Sequence, residues 1–226
     1  MDAARRAGRV VGVLIFVQMI AGGLVNFALE APLFGAPGFL TAAAPHSRQI
    51  GLAALLGLAA EGLWVAVAIT AFPILWPRAR AMTLWLLALA AVVLAAAVVE
   101  NAGVMSLVSF SEAYAKAPAA GREQLEAVRV IVSSARNWAH YLARIADGVT
   151  IFVFYAALFR LALVPRVLAA LGLVATALML TSVGMPLVGH DVVFPLLAPL
   201  GLSQLALSLW LIARGFRDQA RPAMDR

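Results

Sequence analysis

The sequence predicts an all-α polytopic membrane protein, a bundle of six transmembrane helices with an interfacial helix before the fourth span. Three observations carry that expectation. Hydrophobic residues make up 64% of the 226 positions and charged residues 12%, about half the charged share of a soluble domain at ~25%. Mean hydropathy is +0.96. The apolar residues also fall into runs of ~20–25 residues, long enough to cross a ~30 Å hydrocarbon layer, separated by breakers and basic turns. A single domain over 1–226 follows, with spans near 10–29, 49–76, 81–108, 135–160, 167–188 and 196–216.

Met1 to Arg9 is a short basic tail carrying Arg5, Arg6 and Arg9. The first span, Val10 to Leu29, contains Gln18 and Asn26. Basic residues before an apolar run also describe a signal peptide, but this run exceeds the usual 7–15-residue apolar region and no small-residue cleavage site follows it. An anchored helix is expected. Glu30 to Ser47 reads as a loop, with Pro32, Pro37 and Pro45 as breakers. The second span carries Glu61, and the turn Pro77-Arg78-Ala79-Arg80 closes it. The third span carries Glu100 and Asn101 in its last third.

Ser109 to Val132 reads as the longest connection. In its second half Leu125, Val128 and Val132 share one face and charges the other, the pattern of a helix lying at a membrane interface. The fourth span runs to Arg160, LALVPR turns the chain, and Gly189 to Pro195 separates the last two spans. The C-terminal RDQARPAMDR is polar and expected to fray.

Arginines set the orientation. Those of the N-terminal tail, Arg78, Arg80, Arg160, Arg166, Arg214, Arg217 and the C-terminal tail fall on one side. The positive-inside rule then places both termini in the cytoplasm. The net charge of +6 is therefore spread over helix ends rather than gathered into a basic face, and no nucleic-acid partner is expected. The absence of Cys excludes disulfides, iron–sulfur clusters and thiolate zinc sites. The only lysine, Lys116, falls in an expected loop, which excludes a Schiff base inside the bundle.

The chain resembles a bacterial family of six-helix membrane proteins, domain-of-unknown-function family 4386. The likeness is carried by RRAGRVVGVLIFVQMIAGG at the start, VVENAGVMSL in the third span, LVPRVLAALGL after the fourth and SLWLIARGF at the end. It implies the six-helix fold and no activity. The expected location of the chain is the bacterial cytoplasmic membrane.

Polar residues inside the spans are the candidates for function, because ionisable groups in lipid are costly and must face protein or trapped water. At ~100° per residue, Arg129, Arg136, His140, Arg144 and Asp147 fall within roughly 80° of one helix face. From the ~1.5 Å rise, Glu100 lies ~12 Å and Arg144 ~10 Å below the far ends of their spans, with Glu61 and Asp147 ~15 Å down. Asn26 and Asn101 share that half, and Arg136 lies nearer the surface. If these helices are neighbours, three acids face essentially one deep base, Arg144. At least one carboxyl would then hold a proton or a cation.

The candidate ligand or proton site is accordingly Glu61, Glu100, Asn101, His140, Arg144, Asp147, Arg136 and Asn26. The plainer alternative is polar glue: Arg144 and Asp147, spaced i, i+3, neutralise each other, and Glu100 pairs with Arg144 or Arg136.

His46, His140 and His190 with Glu100 form a candidate metal set by ligand type alone, without an H-x-x-x-H or H-E-x-x-H spacing. Ser133-Ser134 near His140 lacks the third group of a catalytic triad. Gly57, Gly62, Gly172 and Thr176 read as packing positions, and the tryptophans as interface anchors, with Trp64 deeper. The basic tails are too sparse for a specific lipid site.

The leading functional expectation is a protein that binds or translocates a proton, cation or small polar solute. A metal- or haem-dependent enzyme at the outer leaflet and a structural subunit of a membrane complex are the alternatives. No motif names a cofactor. The expected surroundings are the lipid bilayer, with a protein partner or a second copy meeting the helix faces.

Overall fold

The computed structural model describes residues 3–217. Among them the chain is helical, with no strand, and six helical segments are long and apolar enough to cross a membrane. The long helices are α1 (Ala3–Leu24), α4 (Ser47–Leu75), α5 (Arg80–Lys116), α6 (Ala119–Arg160), α7 (Arg166–Gly184) and α8 (Ala198–Arg214). Two single-turn helices, α2 (Ala31–Phe34) and α3 (Phe39–Ala42), lie between α1 and α4. Each long helix packs on the next in sequence, and α1 packs on α8, so the six close into a ring. Large apolar side chains such as Leu55, Ile69, Trp85, Val99, Leu171 and Leu202 point outward on these helices. Exposed apolar surface of that extent requires lipid or another protein to cover it.

The seam between α1 and α8 is made by close backbone approach. A Cβ on Gly12 would lie 2.8 Å from the Ser208 carbonyl oxygen, and one on Gly8 would fall on the backbone of Gly215 and Phe216. Small residues let helices meet at this distance, where dispersion contacts replace a hydrophobic driving force absent between lipid-embedded helices. Gly172 does the same on α7, where the Tyr155 ring lies against its Cα, and Thr176 beside it is buried. Gly62, by contrast, has nothing within 4 Å of a Cβ position.

At its far end α1 loosens into a π-helical turn, Val25–Leu29. The carbonyls this leaves are taken up from α4, where Gln49 Nε2 donates to Ala28 O at 3.3 Å and Leu29 O at 3.0 Å. Residues 30–46, expected as a loop, are instead folded into short helical turns that form a second small core. Leu33, Phe39, Leu40, Ala43 and Ile50 bury against Val104, Leu107 and Val108 of α5. Ser111 fastens them there, donating to Leu40 O at 2.8 Å and accepting from Ala44 N–H at 2.9 Å.

The connection expected over 109–132 is corrected by the structure. The helix α5 continues to Lys116 and α6 begins at Ala119, so only Ala117 and Pro118 join them. No breaker stands in SFSEAYAK, and the first one, Pro118, forces Ala117 into an extended conformation that ends the helix. The segment expected as a separate interfacial helix is helical but runs unbroken into the fourth span, as the opening turns of the 42-residue α6. At ~1.5 Å per residue α5 and α6 are roughly 55 and 63 Å long, well beyond a ~30 Å hydrocarbon core.

Candidate functional site

Four side chains on one face of α6, at spacings of four, four and three, enter the ring: Arg136, His140, Arg144 and Asp147. The fifth member of the expected stripe, Arg129, does not. It stays exposed and pairs with Glu126 at 3.4 Å, one turn away on the same helix.

The ring arrangement sets α4 and α5 beside this face. Arg144 is the hub: its Nη2 donates to Glu61 Oε1 at 2.7 Å and lies 3.6 Å from Glu100 Oε2, while Nη1 lies 3.6 Å from Asp147 Oδ2. Glu100 is shared three ways. Its Oε1 accepts from His140 Nδ1 at 2.6 Å and lies 3.6 Å from Arg136 Nη2. Accepting from Nδ1 assigns the proton to that nitrogen, since a carboxylate only accepts.

Glu30 completes the cluster and was not among the expected members. It lies in the turn after α1 and is 4% exposed, with Oε2 accepting from Arg136 Nη2 at 3.1 Å. The Phe34 ring, one turn on, lies 4.6 Å from the Arg136 guanidinium carbon. Arg136 is thus buried under α2, although its position near the start of the span suggested a more exposed group. Burial pushes the Glu30 carboxyl above its ordinary range, and the Arg136 guanidinium opposes it. The only signal for Glu30 in the sequence was an acid placed directly at the end of an apolar run, which a Pro- and Gly-rich stretch disguises as solvent-exposed loop.

Four acids therefore surround two arginines. With every carboxyl ionised, the cluster holds two negative charges in excess, or one when His140 is protonated. Several of its atoms are also unpartnered. Glu61 Oε2 and Asp147 Oδ1 are buried without a hydrogen bond, as are Arg136 Nε and Arg144 Nε. The Trp64 indole N–H comes close to Asp147 but lacks hydrogen-bond geometry. Orphaned buried polar atoms are rare, and each normally meets a water, an ion or a functional partner.

A cavity of about 50 Å³ opens onto this cluster. Glu30, Glu61, Glu100 and Arg144 line it together with Gln18, Asn26 and Asn101. The two asparagines spend one donor each on their own helices, Asn26 on Gly22 O and Asn101 on Ala97 O, both at 2.8 Å. Gly57 leaves the space in front of the Asn101 amide, whose oxygen would be 3.7 Å from a Cβ at that position. Gly57 thus opens room beside a polar side chain as well as serving helix contact.

Of the candidate metal ligands only His140 and Glu100 are brought together. His46 Nδ1 is tied to Ala42 O at 2.8 Å, and His190 lies exposed in the turn before α8. Among the described residues no group of three His, Asp or Glu side chains has metal-ligand spacing. Ser133 donates to Val130 O on its own helix at 3.2 Å. Trp64 is buried against Phe154, while Trp85 and Trp138 are exposed on the helix surfaces.

The model of a family described as Domain of unknown function (DUF4386) covers residues 10–215. No curated protein and no solved structure matches the chain.

Proposed function

This chain belongs to that family, a helical membrane protein of the DUF4386 type, and we propose that it binds or passes a proton or a small cation at the cluster between α4, α5 and α6. One observation carries the reading: an excess of buried carboxylates over guanidiniums, with Glu61 Oε2 and Asp147 Oδ1 unpartnered. Moving such charge out of water costs several kcal/mol per ion unless it is compensated. A proton on one carboxyl or a cation between two of them supplies the compensation, so the two species compete for the same place.

Cavity size narrows the ligand. Pockets for drug-sized molecules run to ~300–1,000 Å³, whereas a water occupies ~30 Å³ of liquid volume. A space of about 50 Å³ suits a monatomic cation or a few waters carrying a proton, and favours these over larger solutes.

On this reading the membrane is the cytoplasmic one, and the arginine bias then puts both termini inside and residues 30–46 over the outer end of the site. Glu30 and Arg136 are then the groups between the cluster and that cover, and Arg144 with Glu61 is the inner pair.

The test is thermal stability of detergent-purified protein in Na+, K+ or N-methylglucamine over roughly pH 4 to 9. Wild type is expected to be stabilised by Na+ or K+ or by protons, but not by the bulky organic cation. Glu61→Gln should lose that dependence while remaining folded. Equal response of both proteins to every cation and to pH would remove the cluster from any ligand role.

A further inference from the structure

A second charged feature lies at the opposite end of the ring, where the start of α1 meets the end of α8. We propose that Arg5, Arg214 and Arg217 form a binding site for a phosphoryl group, with Arg9 and Trp210 completing its walls. Arginines at helix ends are ordinary in membrane proteins and would by themselves mean only orientation. Here they line a cleft of about 680 Å³, together with Trp210, Ala213 and Phe216. No acidic side chain is among its described lining residues.

The cleft is built by the fold. Gly215, at φ +70°, turns the chain sharply at the end of α8, a conformation that side-chain-bearing residues rarely adopt. A Cβ there would also meet the Arg5 carbonyl, so the two chain ends are locked together at this point. Phe216 is then fully buried, and the Arg217 N–H donates to Leu163 O at 2.8 Å, in the turn between α6 and α7. The Arg217 guanidinium carbon lies 5.7 Å from the Trp210 ring centre. Arg9 Nη2 donates to Ala213 O at 3.3 Å, so Arg9 shapes the wall and the recognition rests on the other three.

Residues more than 200 positions apart are thereby brought around one concavity. Arg5, Arg9, Arg214 and Arg217 become a cluster only through this packing, which is why the sequence suggested no lipid site. Guanidiniums recognise phosphate oxygens through paired N–H donors. The volume falls in the range of small-molecule pockets. Tryptophan sits characteristically at headgroup level, so a phospholipid headgroup can enter from the bilayer and a free phosphate ester from the aqueous side.

Native mass spectrometry of the full-length protein, released from nanodiscs containing phosphatidylglycerol and phosphatidylcholine, tests the site. A parallel arm titrates inorganic phosphate against thermal stability in phosphatidylcholine nanodiscs. Arg5→Gln/Arg217→Gln is compared with Arg160→Gln/Arg166→Gln, two exposed arginines at the same end that do not line the cleft. Wild type is expected to retain phosphatidylglycerol, with retention falling on the order of tenfold in the cleft pair and staying near wild type in the control pair. Stabilisation by phosphate without lipid retention, lost in the cleft pair, would support the site and identify a soluble ligand. Equal loss in both pairs means general surface attraction and overturns the proposal, as does the absence of both lipid retention and phosphate stabilisation.

Discussion

Two seams of the same ring are built by opposite means. Between α1 and α8 the helices touch backbone to backbone at Gly8 and Gly12, and the charged side chains that meet there, Arg9 on Ala213 O among them, stand at the seam's end. Across α4, α5 and α6 they are joined by Glu61, Arg136 and Asp147, which are buried, and by Glu100, His140 and Arg144, which are partly buried. Glycine contacts show that two helices of this fold can meet closely with no charged side chain at the point of contact. Under the proposed function the charged seam does more than pack helices, since apolar replacements of buried ion networks are often neutral or stabilising. Its excess of acid and its small cavity are features that helix adhesion does not need.

The comparison breaks most sharply at Arg144. Arg144→Ala leaves Glu61, Glu100 and Asp147 facing one another without their shared base, and should cost about 3 kcal/mol or more. Chemical unfolding of the detergent-purified protein measures it, and a loss no larger than that of a surface substitution would show that the acids are already neutralised by other means. At the apolar seam, Gly12→Leu drives a side chain into the Ser208 backbone and should cost about 1–3 kcal/mol. Gly62→Leu, with open space around its Cβ, should change stability by less than about 0.5 kcal/mol. Equal losses at Gly12 and Gly62 would refute the close-contact account.

The smallest effect is a pH slope from Glu30. Its folded value is raised above 4.5, so the folded chain holds that proton more tightly than the unfolded chain does. The stabilisation is fully present below 4.5 and is lost as pH rises through the folded value. Melting temperature followed upward from acid should fall less steeply in Glu30→Gln than in wild type. The same slope in both would mean that Glu30 does not titrate differently on folding.

Much of the ring was legible in the sequence because its code is coarse: long apolar runs, basic turns and prolines mark spans whatever their partners. The polar stripe on α6 was legible for a similar reason, since residues at three- and four-residue spacing share a helix face. Three things were hidden. Glu30 is buried by folding of a connection whose composition imitates an exposed loop. The turn at Pro118 was obscured by a charged amphipathic stretch that reads equally as connection or helix. The terminal cleft depends on contacts between the first and last helices, for which no local pattern exists. The candidate metal set is split for the converse reason: ligand chemistry was present in the sequence, but among the described residues the fold gathers only His140 and Glu100 of the four.

The most direct test of a shared proton and cation site is to add Na+ to the purified protein in weakly buffered solution and record released protons, with Glu61→Gln and the exposed-acid control Glu123→Gln alongside. Competition at the cluster predicts saturable release from wild type and Glu123→Gln, and none from Glu61→Gln. Identical traces from all three proteins would contradict it.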